Sequence, residues 1–405
     1  MLVTFADPLY NAAMFRTGTS ASTLQNSEKA AEQAAHEALS KTGVSQCDLV
    51  LLFCSIHHCK NSQKIVKKIR EITGARHIVG ASGYGVITET GEREGSPSLA
   101  VMTVADGDTE MLPFLIHDLQ ENNLKAGEQL GQKIIASGIS PSCMLLFPDS
   151  FSFQSYFFFE GFENAYGYVP MIGGSASENG RHSISYQIMD DRIAFDAVSG
   201  VVLGGDLRIE TGITQSCQPF GEPVQITRAD GNVIYEMDGR PAYEILLESL
   251  AKIDLMNSDE IFQQVFLGLP LRSFQTNFSK SSYLIRNIMG VNAKKGMLAL
   301  AAPVEQGDFV TFTVRDPDLA KNDLTVMLED LKHRFAPAKP FCGFYFNCCA
   351  RGQSLYSKSN VDIEMIREFF PETPIIGFST YGEIAPVDHV NHLHHYSGIL
   401  TLLGR

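Results

Sequence analysis

No apolar run in the 405-residue chain reaches the roughly 18 residues that a membrane-spanning helix needs, so bilayer insertion is not expected. The chain also lacks basic excess. Its 46 acidic and 32 basic residues leave a net charge of −14, a field that repels phosphate backbones and argues against nucleic-acid partners. The start, MLVTFADPLYNAAMFRTG, has neither a basic patch ahead of an apolar core nor a small-residue cleavage site, and no signal peptide is expected. The eight cysteines (Cys47, Cys54, Cys59, Cys143, Cys217, Cys342, Cys348, Cys349) form no C-x-x-C pair with a matching second pair. Most sit in or beside apolar runs, which suits reduced thiols. Together these absences point to the cytoplasm.

What is present is globular: 44% apolar and 19% charged residues, in a chain long enough for two domains of roughly 150–200 residues. The one basic cluster, KNSQKIVKKIREITG, carries Ile65, Ile69 and Ile72 at helical spacing, so its lysines read as the wet face of an amphipathic helix.

A unit recurs three times. An apolar run is followed by a partly helical stretch, a second apolar run ending in Gly-x-Ser, and a closing apolar run. The first copy is DLVLLFCS, then HIVGASGYGVI with Gly80 and Ser82, then SLAVMTVADGD. The second is CMLLFPDS, PMIGGSASENG with Gly173 and Ser175, and VSGVVLGGD. The third is CGFYFNCC, PIIGFSTYGEI with Gly377 and Ser379, and YSGILTLLG. The Phe-to-Gly separations, Phe53–Gly80, Phe147–Gly173 and Phe346–Gly377, are 27, 26 and 31 residues. Self-similarity of this kind marks one reused supersecondary unit.

The pattern predicts an α/β fold of mixed β-sheets flanked by helices, in two domains covering 1–215 and 222–405. The stretch around Gly212–Gly221, which lacks strong periodicity, is the expected boundary. Helices are predicted over KAAEQAAHEALSK (capped by Ser27 and closed by Gly43), NNLKAGEQLGQKIIASG, GRPAYEILLESLAKI and DLTVMLEDLKHRF. MLALAAPVEQGDFVTFTVRD reads as two strands joined by a turn at Glu305–Asp308.

These residues resemble the FIST family over nearly the whole chain. The first half is similar to its N-terminal domain through the alanine-rich helix, DLVLLFCS and GASGYGVITETG. The second is similar to its C-terminal domain through GRPAYEILLESL, YLIRNIMGV, EQGDFVTFTVRD, FNCCARG, GFSTYGEIAP and NHLHHYSGILTL. The resemblance implies a sensory module for small ligands, amino acids among them, with some members resembling haem-binding nitric oxide sensors. With no histidine-kinase, cyclase or F-box segment in this sequence, it also implies output through a separate partner, a histidine kinase or cyclic-dinucleotide enzyme acting in trans. Two loops depart from the family pattern: Val86 stands where the third copy has Glu383, and the second copy reads ASEN.

A glycine turn at a strand end exposes amide N–H groups that can hold an anion. Gly377, Ser379, Thr380, Tyr381, Gly382 and Glu383 supply such a turn, with Glu383 available for a ligand ammonium. Ser82, Gly83 and Tyr84, and Ser175 and Ser177, are the matching sets. The alternative is a tight turn whose polar side chains satisfy their own backbone. Arg351, in Ala-Arg-Gly after a strand, either grips a ligand carboxylate with its planar fork or pairs internally with Glu383 or Asp362. Arg286 and Asn287 follow apolar residues in the same manner. The expected ligand is an amino acid or other small anion, held where the glycine loop meets the Ala350–Gly352 turn.

Cys348 and Cys349 raise a cysteine-enzyme alternative, with one thiol in the core and the other at the loop, because adjacent strand residues face opposite ways. Catalysis is not expected, since no thiol-hydrolase motif surrounds them. Of the histidines in HVNHLHHY, His392 and His394 share a strand face while His395 faces away. They read as surface or core-capping residues, with no metal or cofactor expected; a haem alternative would use His394 facing an apolar cavity.

Overall fold

The computed structural model describes residues 15–253, 264–271 and 283–405. The opening segment weighed as a leader lies largely outside them. Apolar runs such as LVLLFCS form strands buried on both faces: Leu49, Leu51 and Phe53 enter one core while Val50, Leu52 and Cys54 enter another. Continuous apolar strands of this kind mark sheets covered on both sides.

Three sheets repeat one plan. The first repeat contributes β1 (Arg16–Ser22), α1 (Ser27–Thr42), β2 (Leu49–Ser55), α2 (Ser62–Thr73), β3 (His77–Gly83), a hairpin of β4 (Gly85–Thr88) and β5 (Gly91–Glu94), and β6 (Leu99–Ala105). The second contributes β7 (Glu110–His117), α3 (Asn123–Ser137), β8 (Pro141–Pro148), α4 (Ser155–Tyr166), β9 (Met171–Gly174), a hairpin of β10 (Gln187–Met189) and β11 (Arg192–Ala194), and β12 (Ala197–Gly204).

The third repeat opens with β13 (Arg208–Gln215) and is then interrupted by an insert. The insert holds β14 (Cys217–Asp230), β15 (Val233–Met237), β16 (Arg240–Pro241), α5 (Ala242–Ala251), β17 (Val265–Pro270), β18 (Tyr283–Asn292), β19 (Met297–Leu300) and β20 (Phe309–Arg315). The repeat resumes with α6 (Pro317–Phe335), β21 (Cys342–Cys348), α7 (Gly352–Tyr356), α8 (Val361–Phe369) and β22 (Ile375–Thr380). It ends with a hairpin of β23 (Glu383–Val387) and β24 (Val390–His394), and with β25 (Ser397–Gly404).

Each repeat gives its hairpin away. The sheet orders are β1-β6-β2-β3-β10-β11, β7-β12-β8-β9-β23-β24 and β13-β25-β21-β22-β4-β5. The second repeat thus completes the first sheet, the third completes the second, and the first completes the third. The register is the same each time. Gly80 pairs with Leu52 and Ile188, Gly173 with Leu146 and Ile384, and Gly377 with Tyr345 and Ile87. The repeat read from the sequence is therefore structural, and its glycines have a steric reason. A Cβ on Gly80, Gly173 or Gly377 would lie 1.7, 2.0 or 1.6 Å from the carbonyl oxygen of Leu52, Leu146 or Tyr345.

The inner sheet faces share one core, whose centre stacks the phenylalanines that mark the repeats. Phe53 lies 5.1 Å from Phe147 and 6.3 Å from Phe346, and Phe378 packs 4.5 Å from Phe53. Rings at these separations add to the burial of their large area. The helices cover the outer faces, and the insert folds around a core of its own.

The predicted helices are present, with adjusted ends. Asn26, not Ser27, caps α1 by accepting from Lys29 N, and α6 starts at Pro317 behind Asp316. The segment around Gly212–Gly221, expected as the boundary, is strand and runs from β13 into β14, carrying the chain from the third sheet into the insert. The expected hairpin about Glu305–Asp308 does not pair with itself: β19 pairs with β15 and β18, and β20 with β14 and β17. The protein is α/β, with mixed sheets flanked by helices.

Candidate functional site

The three Gly-x-Ser tips meet. Ser177 N donates to Ser82 O at 3.1 Å, and Ser82 Oγ donates to Ser177 O at 3.1 Å. Ser177 Oγ accepts from Tyr84 N at 2.7 Å and donates to Ser379 O. Ser175 N donates to Gly382 O at 2.7 Å, and Tyr381 N to Ser175 O at 3.2 Å. Ser82, Ser175, Ser177, Ser379 and Thr380 are all buried. Hydrogen bonds of Ser82, Ser175 and Ser177 thus knit the tips together and form the floor of a site, whereas Thr380 Oγ1 donates to Glu383 within its own repeat and Ser379 Oγ has no hydrogen-bond partner among the described residues.

Above that floor lies an open cavity of about 440 Å³, lined by Tyr84, Glu94, Glu178, Asn179, Gly180, Cys349, Gln353, Ser354 and Tyr381. Every repeat contributes: Tyr84 precedes and Glu94 ends the exchanged β4–β5 hairpin, Glu178–Gly180 follow β9, and the rest come from the third repeat. Of the residues singled out from the sequence, Tyr84 and Tyr381 line it, and Cys349 rather than Cys348 supplies the thiol.

Its electrostatics are acidic, with no Lys, Arg or His among the lining residues. Burial pushes Glu178 up, but the amides of His182 and Arg181, each 3.0 Å from Oε2, and the Tyr381 hydroxyl, 3.2 Å from Oε1, outweigh it and hold the carboxylate below its usual range. Burial raises Glu94, although Gln353 N donates to its Oε2 at 3.1 Å. Burial also pushes the Cys349 thiol far up, with Glu383 and Glu94 acting in the same direction. That is the opposite of the lowered value a nucleophilic cysteine needs.

Several of the expected site residues are buried, and for Arg351 the structure shows the internal pairing, one of its two expected roles. Arg351 is wholly buried and pairs with Asp362, Nε to Oδ2 at 2.6 Å and Nη2 to Oδ1 at 3.2 Å, while Nη1 donates to Ser216 Oγ at 3.1 Å. Its fork is consumed internally. Glu383 is equally buried and accepts from Thr380 Oγ1 and from Ser397 Oγ at 2.6 Å, so it receives no ligand ammonium. Burial moves it up to about 7. Gly382 and Cys348 are buried as well. His394 lies in the core with Nε2 3.2 Å from Ala385 O, and it is His392 that reaches a cavity. Burial carries His394 down to about 3.

Glu94, Glu178 and Gln353 escaped the sequence reading. The ASEN departure held Glu178 and Asn179, so a break in the repeat was their one signal.

Residues 48–240 match the FIST N domain and residues 242–386 the FIST C domain. Among curated relatives, uncharacterized protein Rv0628c of Mycobacterium tuberculosis is 25% identical over 96% of this chain and 99% of its own. Uncharacterized protein Mb0898c of Mycobacterium bovis is 23% identical over 96% and 98%. Among solved structures, a cyanuric acid hydrolase from A. caulinodans aligns at TM-score 0.33 and 8% identity over 96% of this chain and 99% of that one. A chorismatase aligns at 0.35 and 7% over 97% and 99%. At these scores neither likeness bears on chemistry here.

Proposed function

This chain belongs to the FIST family, and from that premise we propose that it is a cytoplasmic small-ligand sensor whose ligand presents an ammonium or similar cationic head to Glu178 and Glu94. The observation that carries the reading is the cavity where all three repeats meet: two carboxylates, two tyrosines and no basic side chain. Tyrosine faces and a carboxylate held ionised suit an alkylammonium group. An amino acid fits through its amine. A simple anion lacks a basic partner among the lining residues, since Arg351 is spent on Asp362. The raised Cys349 thiol supports binding without thiol chemistry, and in this reading output passes to a separate protein such as a histidine kinase or cyclic-dinucleotide enzyme.

The test is a thermal-shift and calorimetry panel of amino acids, their methyl esters, diamines and carboxylates. Ammonium-bearing compounds should stabilise the protein, by about 2.7 kcal/mol at 100 times Kd. Glu178→Gln should weaken that binding. Equal stabilisation by acetate, or unchanged affinity in Glu178→Gln, would refute the reading.

A further inference from the structure

A second cavity, of about 440 Å³, opens where three parts of the fold converge: β18 of the insert, α4 of the second repeat and the β24 strand of the third. Arg286 lies in its wall, half-buried. Its Nη1 donates to Ile285 O at 2.8 Å and contacts His395 Nδ1 at 3.1 Å, and its Nη2 reaches Leu393 O at 3.4 Å. Every one of these partners is neutral, and no carboxylate of the described residues forms an ion pair with Arg286. A partly desolvated guanidinium without a counter-charge is costly, and such groups are normally paired.

The surroundings add to the imbalance. Burial, and then the Arg286 charge, pushes His392 to about 4 and His395 to about 3, so both rings are neutral near pH 7. Burial lowers Arg286 itself to about 10. The acidic groups facing the cavity are Glu160 and Glu163, exposed on the outer side of α4, and Asp388 acts on His392 from the hairpin turn. Ser155, Asn164 and Asn391 add neutral polar groups, and the apolar part of the wall is formed by Phe159, Leu284 and Leu393 beneath Tyr156 and Val390, which are 73% and 49% exposed at the mouth.

We propose that this cavity is a second binding site, for a small organic carboxylate that lays its oxygens on Arg286 and His392 and its apolar body against Phe159, Leu284 and Leu393. The planar fork accepts a carboxylate side-on, and a neutral imidazole N–H can donate a further bond. The site is separate from the acidic cavity and of opposite preference, so the protein can read two ligands of unlike charge.

Calorimetric titration of the full chain with benzoate, hexanoate, benzamide and inorganic phosphate tests this. Benzoate or hexanoate should bind saturably, with benzamide and phosphate weaker by about tenfold or more, the loss of one charge-assisted contact or of the apolar one. Arg286→Gln should lose carboxylate binding by a similar factor. Should that variant fail to fold, Val390→Glu places a like charge at the exposed mouth and should weaken benzoate equally, while Glu94→Gln, in the other cavity, should leave it unchanged. The proposal is overturned by equal affinity for benzoate and benzamide, by phosphate binding as tightly as benzoate, by an unaltered Kd in Val390→Glu, or by no saturation with either carboxylate up to about 10 mM.

Discussion

Replacing Arg351 by Met tests the internal role of its charge. Arg351 and Asp362 are both wholly buried, and Asp362 also accepts from the hydroxyls of Tyr345 at 2.7 Å and Tyr356 at 2.9 Å. Methionine roughly keeps the apolar volume but leaves the Asp362 carboxylate without its cation, close to buried Glu92. Breaking a buried pair from one side costs about 3–5 kcal/mol. For a 405-residue chain that is about 1.2 °C per kcal/mol, hence a fall of about 4–6 °C in Tm. Urea denaturation followed by circular dichroism measures it. The double variant Arg351→Met/Asp362→Leu removes both charges and should recover more than half of the loss, because a buried ion pair replaced whole is often close to neutral. A single-variant loss under about 1 kcal/mol, or a double variant worse than the single, would refute the argument. Lost ligand affinity with unchanged stability would restore the carboxylate-gripping role.

Stability should fall as pH rises from about 5 to 8. Burial, with Asp362 adding to it, lifts Glu92 from 4.5 to about 8, and burial lifts Glu383 to about 7. In that window the folded state keeps protons that the unfolded state has released, so each group contributes up to about −1.4 kcal/mol per pH unit, and Glu92→Gln should flatten the urea-midpoint profile. Gly377→Ala should cost about 3 kcal/mol or more, since its Cβ would meet Tyr345 O at 1.6 Å; wild-type stability would disprove the shared register. Iodoacetamide at pH 7 should label native protein only at the partly buried Cys59 and Cys349, and Cys349 more than about a hundredfold more slowly than a free thiol; fast labelling of Cys349 would revive a catalytic role.

How much of this was legible follows from what each signal depends on. The Gly-x-Ser repeat could be read because its glycines answer to a local need, the close approach of a neighbouring strand's carbonyl. The exchange of hairpins could not be, because strand order depends on which sheet edge is open, and GVITETGERE pairs equally well in sequence terms with its own repeat. Glu94 was lost for that reason: only the exchange carries it beside Cys349. Tyr84 and Tyr381 were found because they sit at the same offset, four residues after Gly80 and Gly377. Arg351 shows the limit in another form. The sequence places a guanidinium after a strand, but whether its carboxylate comes from a ligand or from Asp362, eleven residues on, is decided by the turn between them.

The position four residues after Gly173 holds Ser177 where the other two repeats hold tyrosine. Ser177 bonds to both other tips, accepting from Tyr84 N and donating to Ser379 O, so the smallest of the three residues becomes the hub on which the two tyrosine-bearing loops are set. A third ring there would occupy buried space that the tips now share, whereas a serine draws them together and leaves Tyr84 and Tyr381 on the rim of the same cavity. The loop that gives up the ring also departs most from the repeat immediately afterwards, and that departure supplies Glu178, whose side chain binds the Tyr381 hydroxyl. A threefold scaffold with identical tips would build three equivalent surfaces. The cavity exists on one side because one copy has diverged, and its acidity follows from what that copy gained.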